Sequence, residues 1–335
     1  MRIILIGFGN LGRGLARIFI KKAAALRKIG IIAKVVAAVD EKGAAVDSNG
    51  LELRRLLSVA EQRGTVAAYS HGQKGMLANQ VLDEVEADVV FELTPTNIKT
   101  GEPGITHIKR AMMAGRHVIT SNKGPLVVAF RELESLSRKC GVEFRYSASV
   151  GGAVPVIGLA KKLLSSNEIT EIRGVLNGTT NYILSRMTSE EVPFEMVLRE
   201  AQEMGAAEKD PSLDIKGIDT ACKLTILANS ILGLSATLKD VNITGIERIS
   251  LEAIRLAKES GRTIKLIGIA RKDRLEVAPK LIQFGHPLAV GGTLNSVTYK
   301  LDLAREITIS GYGAGPQETS SSLLSDLIDI HRSLE

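Results

Sequence analysis

Along the first 145 positions, short β-branched runs alternate with stretches whose apolar residues recur at helical spacing, which is the pattern of a doubly wound parallel sheet. It predicts strands at 2–6, 31–39, 87–93, 117–120 and 142–146, and helices at 11–28, 104–114 and 126–139. Between 41 and 80 the pattern is broken by Gly43, Gly50, Gly64, Gly72 and Gly75, so this segment reads as loop with one helix near 52–62. Beyond 147–152 amphipathic helices become prominent and strands sparser, as in an α+β domain. A strand at 169–176 runs into Asn177-Gly178-Thr179-Thr180-Asn181, where Gly and Thr can end a strand and cap a helix. A helix at 194–204 stops at Gly205, a loop follows, and an apolar helix occupies 218–234.

Composition narrows the class. The 335 residues, 44% hydrophobic and 24% charged, are enough for two domains at about 150 residues each. No apolar run approaches the roughly 18 residues of a membrane span, and no cleavable apolar segment opens the chain, so the expected compartment is the cytoplasm. Cys140 and Cys222 stand far apart without metal-ligand or CxxC spacing, which fits a reducing environment. Charge is uneven: 1–145 carry 22 Lys/Arg against 14 Asp/Glu, a balance of +8, and 146–335 carry 21 against 23, a balance of −2. The first part suits a polyanionic ligand or simply presents a lysine-rich solvated surface. Nucleic acid is disfavoured, since no basic run exceeds two residues and aromatics for stacking are few.

Gly7-Phe8-Gly9-Asn10-Leu11-Gly12 follows a strand and opens a helix, the context in which GxGxxG binds a dinucleotide. Gly7 serves the turn, and Gly9 lets a pyrophosphate reach backbone amides at the positive helix end. Asp40 closes the next strand, 28 residues after Gly12 rather than the usual ~20, and can accept from an adenosine ribose. It disfavours a 2′-phosphate, while Arg13 and Lys42 favour one, so NAD and NADP both stay open. Thr94-Pro95-Thr96 and Thr120-Ser121-Asn122-Lys123 each follow a strand, at the sheet edge where open α/β folds place ligands. Lys123 can serve nicotinamide or substrate, or be an ordinary loop lysine.

On a helix of about 100° per residue, Asp219, Ser230 and Lys223 fall within a stripe of about 40°, and most other positions of 218–234 are apolar. So narrow a charged stripe points to a buried helix lining a polar cavity; the bland alternative is an i,i+4 surface ion pair. Glu208, Asp210, Asp214 and Asp219 fall within twelve positions. Carboxylates of this density can hold a substrate amine, and a lysine among them can pass a proton to a carbonyl oxygen receiving hydride. An acyl-enzyme route is disfavoured because neither cysteine has a motif histidine nearby. Another dehydrogenase of this plan, acting on a different amino-acid aldehyde or hydroxy acid, and a non-enzymatic dinucleotide sensor are the rival readings.

In order along the chain, the glycine turn, Thr94-Pro95-Thr96, Ser121-Asn122-Lys123, Ser149-Val150-Gly151-Gly152-Ala153-Val154-Pro155, Asn177-Gly178-Thr179-Thr180-Asn181-Tyr182-Ile183, the acids from Glu208 to Asp214, and Gly217-x-Asp219-x-x-x-Lys223 resemble homoserine dehydrogenase. The resemblance runs to Gly315. It implies a Rossmann-type α/β domain over 1–146, completed by a C-terminal helix at 316–335, and an α+β substrate-binding and dimerisation domain over 147–315. It implies a homodimer that reversibly reduces L-aspartate 4-semialdehyde to L-homoserine with NADH or NADPH, a step toward threonine and methionine. Lys223 matches the general acid/base, Lys123 a lysine between nicotinamide and substrate, and Glu208, Asp214, Asp219, Gly178 and Thr179 substrate-binding positions. Gly7, Gly9, Asn10, Leu11, Gly12, Asp40, Thr94, Lys123 and Gly315 match cofactor contacts. Backbone carbonyls of Ser147, Val150, Gly152 and Val154 match a sodium site, with Ser147 where the family usually has Glu. Ala206-Ala207 lacks the tyrosine that often precedes the Glu208 position. With 20 residues after Gly315, no appended ligand-sensing or kinase module is expected.

Overall fold

The structure, a computed structural model, describes residues 1–205 and 207–335, so Ala206 lies outside the described residues. The chain divides into two compact units, Met1–Ser149 with Gly315–Glu335, and Val150–Ala314.

In the first unit, β1 (Arg2–Ile6) is buried along nearly its whole length, as a parallel strand covered on both faces must be. Then follow α1 (Asn10–Lys28), β2 (Lys34–Asp40), β3 (Gly43–Val46), α2 (Leu53–Arg63), β4 (Gly72–Lys74), α3 (Ala78–Glu84), β5 (Val89–Glu92), α4 (Gly104–Met113), β6 (His117–Thr120), α5 (Lys123–Val128), α6 (Phe130–Cys140) and β7 (Phe144–Arg145). The sheet order is β4-β3-β2-β1-β5-β6-β7, parallel from β2 to β7. Since β1 lies between β2 and β5, the winding reverses beside it, which makes the carboxyl ends of β1 and β5 the ligand-binding crevice.

Two expectations need correction here. The segment 41–80 is not loop around one helix, because β3 and β4 add an antiparallel edge to the sheet and a second helix follows. Its glycines are partly strand residues: a Cβ on Gly43 would overlap the Gln73 carbonyl of the neighbouring strand. The helix expected at 126–139 starts at Lys123 and breaks at Ala129, whose φ of −133° leaves helical values.

The C-terminal helix (Pro316–Leu334) returns to this unit, where Leu323, Leu327 and Ile330 are fully buried in the same core as Ile3, Leu5 and Phe91. Each such side chain, truncated to Ala, would cost about 2–5 kcal/mol. Its Asp326 carboxylate accepts the Ser147 N–H at 3.0 Å and Asp329 accepts Arg145 Nε at 2.7 Å. These bonds carry the unit to Ser149, three residues past the expected 146, and Gly315 falls to the first unit rather than the second.

The second unit opens with one turn of α7 (Val156–Gly158) that widens into a π-helical stretch at Leu159–Leu163. It continues through β8 (Ile169–Val175), α8 (Gly178–Glu190), α9 (Phe194–Glu203), α10 (Ser212–Ile215), α11 (Ile218–Ile231), β9 (Asn242–Ile243), α12 (Leu251–Glu259), β10 (Arg262–Arg271), β11 (Arg274–Gln283), β12 (Leu294–Leu301) and β13 (Glu306–Tyr312). The strands form one sheet in the order β13-β12-β8-β10-β11-β9, antiparallel except for the β11–β9 pair. Strands are therefore not sparse. The pattern of β10 concealed it, because residues 263–268 are buried without a break and no alternation marks the strand. Helices α8, α11 and α12 pack against β10.

Candidate active site

The glycine turn is shaped by sterics at each position. Gly7 has φ +98°, and a Cβ there would lie 2.6 Å from the Leu93 carbonyl. A Cβ on Gly12 would overlap Gly7 O, so α1 can approach β1 this closely only with glycine. At Gly9, by contrast, a Cβ would meet nothing within 4 Å, so the space beside its α-carbon is open. That opening belongs to a cavity of about 470 Å³ lined by Gly7, Gly9, Asn10, Leu11, Arg13 and Asp40 among others. Free N–H groups and the positive end of the 19-residue helix α1 suit a pyrophosphate there. The residues present thus fit a dinucleotide. Asp40 is already engaged: its carboxylate accepts Lys42 N at 2.9 Å, Thr65 Oγ1 at 3.0 Å and Val66 N at 2.7 Å. Arg13 turns back onto Gly9 O and Asn10 Oδ1.

At the ends of β5 and β6 the structure shows a group that the sequence reading missed. Glu92 is fully buried, and its carboxylate accepts Thr94 N at 3.1 Å, the Thr94 hydroxyl, and Thr120 Oγ1 at 3.1 Å, with His107 Nδ1 at 3.8 Å. Asn122 Nδ2 donates to Thr94 Oγ1 at 3.3 Å, while Asn122 Oδ1 caps α5 through Gly124 N, so Lys123 begins that helix half-buried. The loops carrying Thr94 and Lys123 are therefore held together by a carboxylate beneath both. An acidic residue ending a hydrophobic strand, two before a Thr, was the available signal. Gly315, with φ +128°, precedes the C-terminal helix.

In the second unit α11 is buried at every residue from Thr220 to Ser230, which excludes the surface ion-pair alternative. Lys223, 8% exposed, donates to Asp219 Oδ2 at 2.9 Å and to the Leu176 carbonyl at 2.7 Å. Asn177 caps α8 through Thr180 N, and its Nδ2 donates to Asp214 Oδ1 at 2.6 Å and Asp219 Oδ2 at 2.9 Å. One amide thus ties two carboxylates. Burial raises the Asp214 carboxyl above its ordinary range, the adjacent Asp219 adds to the rise, and bonds from Asn177 and Thr179 together with the charge of Lys223 oppose it. With both acids ionised, two carboxylates face one ammonium, a surplus of negative charge that an amine-bearing ligand can complete.

The structure gathers Lys223, Asp219, Asp214 and Thr179, with Gly178 at the first position of α8. Glu208 is exposed, and among the described residues its backbone carbonyl accepts Gln202 Nε2 at 3.2 Å. Asp210 is a cap: its carboxylate accepts Ser212 N at 3.1 Å and the Ser212 hydroxyl. In the loop proposed for sodium, Gly151 and Gly152 take φ of +92° and +56°, and Val154 O already accepts Val156 N at 2.8 Å, leaving it one lone pair for a cation.

A glycine turn at the switch point of a parallel sheet, with a buried Lys–Asp pair in a second α+β unit, defines a two-domain NAD(P)-dependent oxidoreductase. The family model described as "Homoserine dehydrogenase" matches residues 155–328, and one described as "Glutamate/Leucine/Phenylalanine/Valine dehydrogenase" matches 1–96. The chain is 49% identical to a homoserine dehydrogenase of Methanocaldococcus jannaschii over 99% of both chains. It is 36% identical to an NAD(+)-dependent homoserine dehydrogenase of Pseudomonas canavaninivorans, over 99% of this chain and 96% of that one. A crystal structure of a putative homoserine dehydrogenase from Archaeoglobus fulgidus superposes with a TM-score of 0.92 at 42% identity, covering 98% of this chain and 99% of that one. A hyperthermophilic archaeal homoserine dehydrogenase in complex with NADPH superposes at 0.86 with 26% identity, over 99% and 98%. The chain belongs to the homoserine dehydrogenase family.

Proposed function

We infer that the chain reduces L-aspartate 4-semialdehyde to L-homoserine, reversibly, with NADH or NADPH. The observation that carries this reading is the buried Lys223, fixed by Asp219 and the Leu176 carbonyl beside the Asn177-bridged acids. An ammonium has three protons, and two point at fixed acceptors, so the third has a defined direction. Bound NAD(P)H supplies the hydride. Lys223 gives its proton to the carbonyl oxygen as negative charge develops there, and takes it back in the reverse direction. Asp219 keeps that ammonium in place. Asp214 and Asp219 receive the substrate amine, with Gly178, Thr179 and Glu208 as further substrate positions. Gly7 to Gly12, Asp40, Thr94, Lys123 and Gly315 hold the dinucleotide, with the amides at the start of α1, from Gly9 to Gly12, taking its pyrophosphate, since Gly7 N and Phe8 N donate to the Val39 carbonyl. The carbonyls of Ser147, Val150, Gly152 and Val154 are assigned to a sodium ion.

The same reading makes the chain a cytoplasmic homodimer. Cys140 and Cys222 are in no disulfide among the described residues, and no helix among the described residues is long and apolar enough to cross a membrane. Ile267, Ile269, Ile282 and Leu288 form the apolar part of a cavity of about 270 Å³ on the second sheet, which Glu171, Arg173, Arg271, Arg274, Lys280 and His286 also line, so a partner copy covering it would have to satisfy these charges. Purified protein assayed with aspartate semialdehyde and each reduced cofactor tests the activity. Lys223→Ala should lose most turnover yet still bind cofactor, and near-normal turnover would refute the assignment of Lys223. A light-scattering mass equal to one chain would refute the dimer.

A further inference from the structure

We propose that Asn295 is a positioning residue for Lys223, acting through the Leu176 carbonyl they share, and that Gly313 is glycine to leave room for it. This rests on the reading of Lys223 as the proton donor. The β12–β8 ladder pairs Ser296 with Val175, so Asn295 stands opposite Leu176, one step beyond the last strand residue of β8. The Leu176 carbonyl, free of the ladder there, accepts Asn295 Nδ2 at 3.0 Å and Lys223 Nζ at 2.7 Å. Both lone pairs of one oxygen are thereby used, and its direction is fixed from two sides.

Asn295 is 1% exposed, and its Oδ1 is buried with no hydrogen-bond partner among the described residues. Fold stability alone would favour an apolar side chain over a half-satisfied buried amide. What the amide contributes is the donor to Leu176. Its surroundings are built to keep it there: a Cβ on Gly313 would overlap the Asn295 amide, although the φ of Gly313 is not in the left-handed region that favours glycine. Behind it, Asn181 Nδ2 donates to Leu294 O at 2.9 Å, and Lys265 Nζ donates to Asn181 Oδ1 at 2.8 Å, which anchors the residue preceding Asn295. A lysine stem is flexible, so the ammonium is located only as well as its acceptors are. Loosening one acceptor should degrade the proton-transfer geometry more than substrate affinity.

Kinetics of Asn295→Ala, Gly313→Ala and the double variant test this. Asn295→Ala should lower kcat by about 10- to 100-fold, with KM for aspartate semialdehyde and the Kd for NADPH changed less than about threefold. Gly313→Ala removes no polar group but displaces the amide, and should show the same split. In the double variant the added methyl meets no amide, so kcat should be no lower than in Asn295→Ala alone. The proposal is overturned if Asn295→Ala keeps kcat within about twofold, if kcat and KM worsen together, or if the Gly313→Ala loss adds in full on the Asn295→Ala background. Should Asn295→Ala fail to fold, the kcat-against-KM split of Gly313→Ala decides alone. Lys223→Ala separates the two levels: full activity there refutes the proton-donor reading, whereas an inactive Lys223→Ala beside an unaffected Asn295→Ala refutes only the role of Asn295.

Discussion

Lys265 offers a test in which the whole argument is electrostatic. It lies on β10, 2% exposed, with its ammonium donating to Asn181 Oδ1 at 2.8 Å and Ser185 Oγ at 2.9 Å, both neutral acceptors. Burial pushes its pKa down from an ordinary 10.5 to about 8. Arg186 and Lys258 line the same cavity but are turned to carboxylates, Arg186 to Glu190 and Glu200 and Lys258 to Glu191. A base whose folded pKa lies below its unfolded one binds its proton less tightly when folded. Stability should therefore rise with pH between about 8 and 10.5, because only the unfolded chain stays protonated there. At about 1.4 kcal/mol per pH unit, the interval is worth about 3 kcal/mol, the amount by which the charged amine weakens the fold at pH 7. Lys265→Met keeps the stem and removes the titration. Urea unfolding followed by circular dichroism at pH 7, 8, 9 and 10 should show the parent gaining about 2–3 kcal/mol on the variant across that range. A difference that stays constant with pH would refute the buried charge. At pH 7 the variant escapes the charge burial but leaves two acceptors without a donor, at about 1 kcal/mol or more each, so near neutrality the two proteins should lie close together.

The raised Asp214 carboxyl means that the fold binds this proton more readily than the unfolded chain does, so its ionisation weakens the fold as pH rises through the folded value. Asp214→Asn should accordingly raise Tm at neutral pH while raising KM for aspartate semialdehyde about tenfold or more; a lower Tm, or an unchanged KM, would contradict the charge argument. Asp40→Asn removes a negative charge from the rim of the dinucleotide cavity and should shift kcat/KM toward NADPH by about tenfold relative to NADH. No shift would mean that Asp40 serves only the Lys42, Thr65 and Val66 bonds it already makes. Glu92→Ala leaves Thr94 and Thr120 without their buried acceptor and should weaken NADPH binding and lower Tm together, whereas Glu92→Gln, which keeps one carbonyl oxygen, should recover most of the binding in a fluorescence titration.

What the sequence disclosed follows from the range of each interaction. The glycine turn was legible because Gly7 and Gly12 answer to sterics within one strand–turn–helix. Asp219 and Lys223 were legible because a helix converts spacing of four into proximity. The bonds that turn this pair into a site span the chain instead. Asn177 reaches Asp214 and Asp219 across 37 and 42 residues, Leu176 accepts Lys223 across 47, and Asn295 reaches Leu176 across 119. No local period encodes such distances, so Asn295 went unnoticed, and the sequence could not tell the exposed Glu208 from the bridged Asp214 and Asp219. The β3–β4 edge was lost for the opposite reason, since glycines needed for close strand approach are written like glycines of a loop.

The acids show why counting charges along a chain is a poor guide to a site. Four carboxylates fall between Glu208 and Asp219, yet Asp210 accepts both Ser212 bonds at its Oδ1, Glu208 is exposed, and among the described residues Asn177 joins Asp214 to Asp219 as a common donor. What selects this pair is burial. Withdrawing Asp214 and Lys223 from water makes each depend on its neighbours, among them the Asn177 amide that bonds both carboxylates and the Thr179 side chain that bonds Asp214. That arrangement is short by one positive charge when both acids are ionised. An amine-bearing substrate supplies the missing charge on entering, and in doing so should lower the Asp214 pKa from its raised position. Substrate affinity should then weaken as pH falls through the Asp214 titration, because a protonated acid offers the amine no charge, and a KM independent of pH across that range in the parent enzyme would remove Asp214 from the binding of the amine.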